Sequence, residues 1–592
     1  MKYNTTKKTI MTFFAIVISY VIYSNLIYLR AGLLWTETLI GWDSTRYIGL
    51  AKLVLQDFTF LRVYAPFLFP LLLALGIHIN PNDYFWAVTW YRIIETFSIS
   101  AIIYITVNYL GKLTRSRLLK LTFIILLVCS FRNFILSMYI PFTLALLFSN
   151  IMLIISEKII LEKAANKTLY LLISIVTLII ILSNNLYHVL LVLMALVIYI
   201  VNNRKITYKV NFFKMILVII LVIVFSYLFL SRISLAYAVA SAQIVEPIKD
   251  YLPEYLKGII YEEPFKKYDP LFMKIIGNFA SASHLMVLTR PARLYDAIAF
   301  YYFSDSEFLI LLLANLISYI ALFSFKKETK QNIILNYYLG IVVLMIINTI
   351  LLFVTRSNYY VTYLFRFNGI YDLRVFFFIL LLILVEKYNS YLLKRVKLGG
   401  KVKRYKGSLL VVVAVVAVTY IIVSVYGASP RVANYAYVRT SDVSFLREQI
   451  IPLATGKNIT LITTVARVSY PGILNQIEGL LWYFGGSNIV IFPVLDLNDI
   501  CFINRTLNSI AYNFTFYNPI LNLLQYYYSY VYFERLNKTS CTSLTLIISE
   551  SVYKSRYEKI FVNYNEPLVI NRSCNAKYCA FLIRTTKVCN RC

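Results

Sequence analysis

The chain of 592 residues is 60% hydrophobic and only 15% charged, and its mean hydropathy of +0.70 excludes a water-soluble globule. A formal charge of +30 would suit a nucleic-acid partner in a soluble protein. Here most of the surplus sits in short loops between apolar spans, where it reports membrane topology and leaves no nucleic-acid partner.

Apolar stretches long enough to cross a bilayer as helices are predicted at 9–29, 86–110, 119–138, 141–157, 168–184, 187–201, 212–231, 307–325, 333–354, 373–392 and 408–427. The fold class is therefore a polytopic α-helical membrane protein of about 11 transmembrane helices, spanning 1–427, followed by a further domain at 428–592. The first stretch runs to about Leu29, longer than a signal-peptide core, and no small-x-small site follows it. It reads as an uncleaved first helix.

Between the first two spans lies a loop, 30–85, with two unusual features. Gly41-Trp42-Asp43-Ser44-Thr45-Arg46-Tyr47 sets an acidic group beside a tyrosine just past the first span. Pro66-Phe67-Leu68-Phe69-Pro70 opens an apolar run that ends near His78. If the chain after Asp43 is helical, Asp43, Tyr47 and Val54 share one face. Asp43 then has two readings: a helix N-cap, or a carboxylate placed for proton transfer.

Lys and Arg fall on one side of the bundle. They occur at Lys2, Lys7 and Lys8, at 112–120, at 204–214, at 326–330, and from Lys394 to Lys406. The long loop 232–303 is nearly balanced, with eight basic and seven acidic residues. This asymmetry predicts a cytoplasmic N-terminus, with Asp43 and the C-terminal domain outside, as in a plasma-membrane protein. Asn184, Asn185, Tyr187 and His188 then form an outer turn between spans, either a polar hairpin or part of a binding cavity. His284, Arg290 and Arg293 lie in the long outer loop. The spans read as free of mid-span charge and the chain shows no internal repeat, which counts against a transporter.

Residues 428–592 contain sequons at Asn458, Asn504, Asn513, Asn537 and Asn571, and six of the seven cysteines: Cys501, Cys541, Cys574, Cys579, Cys589 and Cys592. The crowding of sequons points to glycosylation. The even cysteine number points to disulfides with the pairing open, although the C-x4-C and C-x2-C spacings also admit zinc. Strands are predicted at 459–463, 488–492 and 544–548 and helices at 470–485 and 505–530, which together suggest a small α/β domain. Trp482-Tyr483-Phe484-Gly485 reads as aromatic packing at a helix end.

Trp42-Asp43-Ser44-x-x-Tyr47-x-x-x-Ala51 followed by Pro66-x-x-x-Pro70-Leu71-Leu72 resembles the first outer loop of the GT-C membrane glycosyltransferases, which include protein O-mannosyltransferases and aminoarabinose transferases. Arg366-Phe367-x-x-x-Tyr371-x-x-Arg374, before the tenth span, resembles the place where family members set an Arg-Tyr pair near a donor phosphate. The resemblance implies a sugar donor on a polyprenyl phosphate and an acceptor that is a glycan, lipid or protein. It implies Asp43 as catalytic carboxylate or as partner to a divalent metal ion. It also implies amphipathic helices along the membrane surface, and a substrate site drawing on Tyr47, Arg366, Tyr371, Arg374, Asn184 and His188. Protein O-mannosyltransferases carry Asp-Glu where this chain has Asp43-Ser44, so the acceptor stays open. An oligosaccharyltransferase-like enzyme, or a non-enzymatic anchor or transporter with a glycosylated outer domain, are the alternatives. No cofactor other than that ion is expected, and the chemistry needs none. A carboxylate takes the acceptor proton while arginines stabilise the departing phosphate.

Overall fold

A computed structural model describes residues 2–37, 39, 44–56, 67–110, 117–135, 140–161, 167–183, 186–202, 206–233 and 252–259. Beyond these it describes 333–337, 339–343, 479–480, 482–485, five strands and a few isolated residues. The chain divides into two compact units. One gathers Met1–Leu33, Ile93–Ser226 and Met286–Ala433; the other gathers Leu34–Arg92, Tyr227–Leu285 and Asn434–Cys592.

The first unit is helical where described. α1 (Lys2–Arg30), the greater part of α4 (Tyr84–Leu110), α5 (Arg117–Ile135), α6 (Ile140–Leu161), α7 (Lys167–Leu182), α8 (Leu186–Asn202) and α9 (Ile206–Ile233) reproduce the first seven predicted spans. Three described helices are long and apolar enough to cross a membrane: Thr9–Arg30, Thr143–Leu161 and Asn211–Arg232. The first and last, at 22 residues, reach about 33 Å, the thickness of a hydrocarbon core.

The outer faces of these helices are as apolar as their inner ones. On α1, Ile16, Tyr20, Tyr23 and Ile27 are buried, while Phe14, Ile18, Ile22 and Leu26 form an exposed stripe at four-residue spacing. α7 buries Ile173, Val176, Thr177, Ile180 and Ile181 and exposes Leu171, Leu172, Ile175 and Leu178. Helices that present aliphatic side chains on both faces are solvated by lipid, and the protein is an integral membrane protein.

α1 stops at Gly32, whose φ of 71° supplies the left-handed residue of a Schellman ending. The Leu33 amide donates to Tyr28 O and the Gly32 amide to Leu29 O. Inside the first unit, Tyr20 on α1 donates its hydroxyl to Glu95 Oε1 on α4, and both side chains are fully buried. This corrects the expectation that the spans carry no mid-span charge, because Glu95 and Arg92 both lie within α4 and are buried. The surrounding Ile, Phe and Val residues mask two ionisable groups in any averaged hydropathy.

The second unit contains α2 (Ser44–Gln56) and α3 (Leu68–Ile77), too short to span a bilayer, packed on each other and on the start of α4. The Trp86 and Trp90 indole N–H groups donate to Gly76 O and Leu72 O of α3, each at 2.8 Å. α2 differs from the amphipathic helix expected. Ser44, Thr45, Tyr47, Ile48, Leu50, Ala51, Leu53 and Val54 are all buried, so protein surrounds it on most sides. Gly49 permits one of these contacts: a Cβ there would collide with the carbonyl of Gly479, so the two backbones meet directly.

The same unit holds a five-stranded mixed sheet in the order β2-β1-β3-β5-β4. Its strands are β1 (Thr460–Thr464), β2 (Val490–Val494), β3 (Ser543–Ser549), β4 (Val569–Cys574) and β5 (Tyr578–Arg584). β1 pairs in parallel with β2 and β3, whereas β5 runs antiparallel to both β3 and β4. The three predicted strands correspond to β1, β2 and β3, and β4 and β5 are additional. Among the described strands, β2 and β4 are the edges. Pro493 lies in β2, an edge position where proline is tolerated, and β4 carries a register shift between Val569 and Asn571.

Candidate functional site

The segment singled out by sequence leads into α2. Asp43, Trp42 and Pro66 lie outside the described residues, and Ser44, immediately after Asp43, opens the helix. Tyr91 on α4 donates its hydroxyl to Ser44 Oγ at 3.1 Å. The rings of Tyr47, Phe69 and Tyr91 stack edge to face in sequence, with centroids 5.2 and 5.5 Å apart. One helix from each part of the 30–85 loop is thereby fastened to the first turns of α4 through aromatic contacts that prefer this geometry.

Arg92, the next residue along α4, is 5% exposed. Its Nε–H donates to Trp35 O at 3.2 Å, and its guanidinium lies 5.3 Å from the Trp35 ring centre and 6.0 Å from that of Tyr91. These distances are within cation–π range. The Trp35 indole N–H is buried and finds no acceptor among the described residues. Ser44, Tyr91, Arg92 and Trp35 thus form one continuous polar-aromatic cluster, and Trp35 and Arg92 are the members that sequence reasoning missed. A basic residue in the first turns of a span, following a loop with an unassigned tryptophan, was the available signal.

At the other end of α2, half-buried Lys52 donates to Pro81 O and lies 5.6 Å from the Tyr483 ring centre. Burial holds its pKa below the usual lysine value. Tyr483 packs on Tyr84 at 5.5 Å and Phe484 on the same ring at 5.9 Å, so Trp482-Tyr483-Phe484 is aromatic packing as read from sequence. Burial, then the nearby Asp83 charge, raises the Tyr483 phenol. Asp83 itself caps α4, its Oδ1 accepting from the Phe85 and Trp86 amides at 2.9 and 3.2 Å. This is the role that the capping reading assigns to Asp43 at α2.

The remaining candidates divide as follows. Tyr47 is buried in the second unit, and His188 is buried on α8 of the first. His78 is exposed at the end of α3. Asn571 lies on edge strand β4, and Cys574 and Cys579 face each other in the β4–β5 register. Asn184, Arg366, Tyr371, Arg374, Asn458, Asn504, Asn513, Asn537, Cys501, Cys541, Cys589 and Cys592 lie outside the described residues, as do His284, Arg290 and Arg293. Among the described residues, no three His, Cys, Asp or Glu side chains gather as a metal set.

No family model matches the chain and no curated protein matches it. Solved structures similar to it include ArnT from Cupriavidus metallidurans in the apo state, at 9% identity over 98% of this chain and 99% of that one, with a TM-score of 0.45. The same protein bound to undecaprenyl phosphate is similar at 10% identity over 98% of each chain, with a TM-score of 0.43. Likeness at this level carries no residue role to the present chain.

Proposed function

We propose that this protein is an integral membrane glycosyltransferase. It moves a sugar from a polyprenyl-phosphate donor to an acceptor at the outer face of the membrane, with a cytoplasmic N-terminus and the C-terminal domain outside. The observation that carries this reading is the cluster at the start of α2. There a hydroxyl-rich turn, directly after an aspartate in sequence, is fixed by Tyr91 and adjoins a buried arginine and an unsatisfied indole donor. The Trp35 indole is one of several buried polar groups with no partner among the described residues, and a buried donor left unpaired costs about 1–3 kcal/mol. A ligand oxygen would satisfy it.

In this reading Asp43 accepts the proton of the acceptor hydroxyl as its oxygen bonds to the sugar C1. The C1–O bond to phosphate breaks on the opposite side, inverting the anomeric centre and releasing polyprenyl phosphate. Arg366 and Arg374 neutralise the charge that collects on the leaving phosphate. The anchored start of α2, next in sequence to Asp43, supplies a fixed point for orienting the reactants, which lowers the entropic cost of reaction. The divalent ion suggested near Asp43 would need partners beyond the described residues, and no step is assigned to it.

The test is sugar transfer from a polyprenyl-phosphate sugar by purified wild-type and Asp43→Asn proteins, with folding followed by thermal melt. Asparagine caps a helix about as well as aspartate, so the melt should hold while the rate falls roughly 100- to 10,000-fold. A folded mutant with near-normal transfer would reduce Asp43 to a cap.

A further inference from the structure

The sheet narrows a choice that the cysteine spacing left open. β4 and β5 are antiparallel, with Arg572 opposite Phe581, Ser573 opposite Ala580 and Cys574 opposite Cys579. That last pair closes the ladder, with four residues of sequence between the two cysteines and β5 beginning at Tyr578. Directly opposed residues of an antiparallel pair have Cα atoms about 4.5 or about 5.5 Å apart, depending on whether they exchange hydrogen bonds. Both separations fall inside the roughly 4.4–6.8 Å window that a disulfide requires.

From this register we infer that Cys574 and Cys579 form a disulfide that clips β4 to β5 at the end of their ladder. Of the fifteen ways to pair the six cysteines of this region, those that separate these two become unnecessary. The remaining four, Cys501, Cys541, Cys589 and Cys592, are left to pair among themselves. Chemically, the two thiols lose two protons and two electrons to a disulfide-bearing oxidant, which leaves as a dithiol after a mixed-disulfide step. Such a bond persists only in an oxidising compartment, so it would also report the side of the membrane on which the sheet lies. The zinc alternative needs both sulfurs as thiolates in a four-ligand set, with Cys589 and Cys592 the nearest in sequence to complete it.

Trypsin separates the partners cleanly, because it cuts after Arg572, Lys577 and Arg584. Full-length protein is purified from membranes under acid quench, alkylated without reductant, digested and analysed by mass spectrometry. The expected product is the peptide 573–577 joined to 578–584 with the mass loss of two hydrogens, separating into two alkylatable peptides only after reduction. In Cys574→Ser protein, Cys579 should become alkylated without reductant, which shows the pairing even if the variant folds less well. Recovery of both peptides singly alkylated from unreduced wild-type protein would overturn the inference. So would linkage of either peptide to another cysteine, or stoichiometric zinc released when these thiols are modified.

Discussion

Tyr91 and Ser44, 47 positions apart in sequence, share a hydrogen bond of 3.1 Å that ties the first residue of α2 to α4. The residue after Asp43 is therefore anchored from outside its own helix. The start of α2 is held more firmly than a helix terminus normally is, since such ends fray.

Tyr91→Phe removes that tether while keeping the ring stacked on Phe69. The loss of one buried hydrogen bond should cost about 0.5–1.5 kcal/mol of stability. Under the proposed function, the transfer rate should fall further than the melt predicts, with the donor KM little changed. Thermal melts and steady-state kinetics on the same preparation separate the two. Equal, small effects on both would make the contact purely structural.

Trp35→Phe tests whether the unpaired indole N–H serves a ligand. The phenyl ring can still lie under Arg92, so the apo protein should lose only packing. If a donor phosphate oxygen accepts from Trp35, the variant should bind polyprenyl-phosphate sugar about 10-fold more weakly, the worth of one hydrogen bond to a charged group. Titration of donor lipid into the purified protein reads this directly, and unchanged affinity would remove Trp35 from the site.

Arg366→Ala and Arg374→Ala should each lower transfer roughly 30- to 1,000-fold, the loss of about 2–4 kcal/mol of transition-state stabilisation. Lysine should rescue poorly where the contact is bidentate. Turnover and donor affinity equal to wild type in both variants would clear the pair of any phosphate role.

Stability should depend on alkaline pH through Lys52. Its pKa is lowered by burial from the usual 10.5. Just below that value the unfolded chain therefore binds the proton that the folded chain has released, and stability rises with pH. Tyr483 acts in the opposite sense. Its phenol is raised above the usual 10.0, so the folded protein holds a proton that the unfolded chain gives up, and stability falls above that pH. Lys52→Met should erase the rise and leave the fall, measured by melts from about pH 8 to about pH 11. A variant whose melting profile overlays that of wild type would show the lysine to be solvated in practice.

The helices of the first unit could be read from sequence because lipid solvation makes every face apolar, and hydropathy alone then finds them. The same property hid Arg92 and Glu95. A window rich in Ile, Phe and Val tolerates two charges, and only the tertiary partners Trp35 and Tyr20 show that they are held inside. The family resemblance implies an amphipathic helix at α2, yet its residues are buried on most sides and half-buried Lys52 donates to Pro81 O. β1, β2 and β3 are built largely from aliphatic and β-branched residues. β4 has two apolar residues followed by Asn571, Arg572 and Ser573, a composition typical of an edge and indistinguishable locally from a loop. Asp43 stood out in sequence through its neighbours. The cluster beside it did not, because its members come from three separate stretches of chain.

The two outermost strands of the sheet bear on how the protein behaves among copies of itself. An open strand edge offers unpaired amides and carbonyls to any passing chain, and that is a common route to aggregation. Here β2 contains Pro493, a residue without an amide, and β4 departs from regular register beside Asn571. Neither side is a clean template for strand addition. Among the described strands the sheet ends at β2 and β4, and each of these edges carries a feature that discourages pairing with another copy. Pro493→Val, which restores the amide on β2, would be the change most apt to undo that restraint.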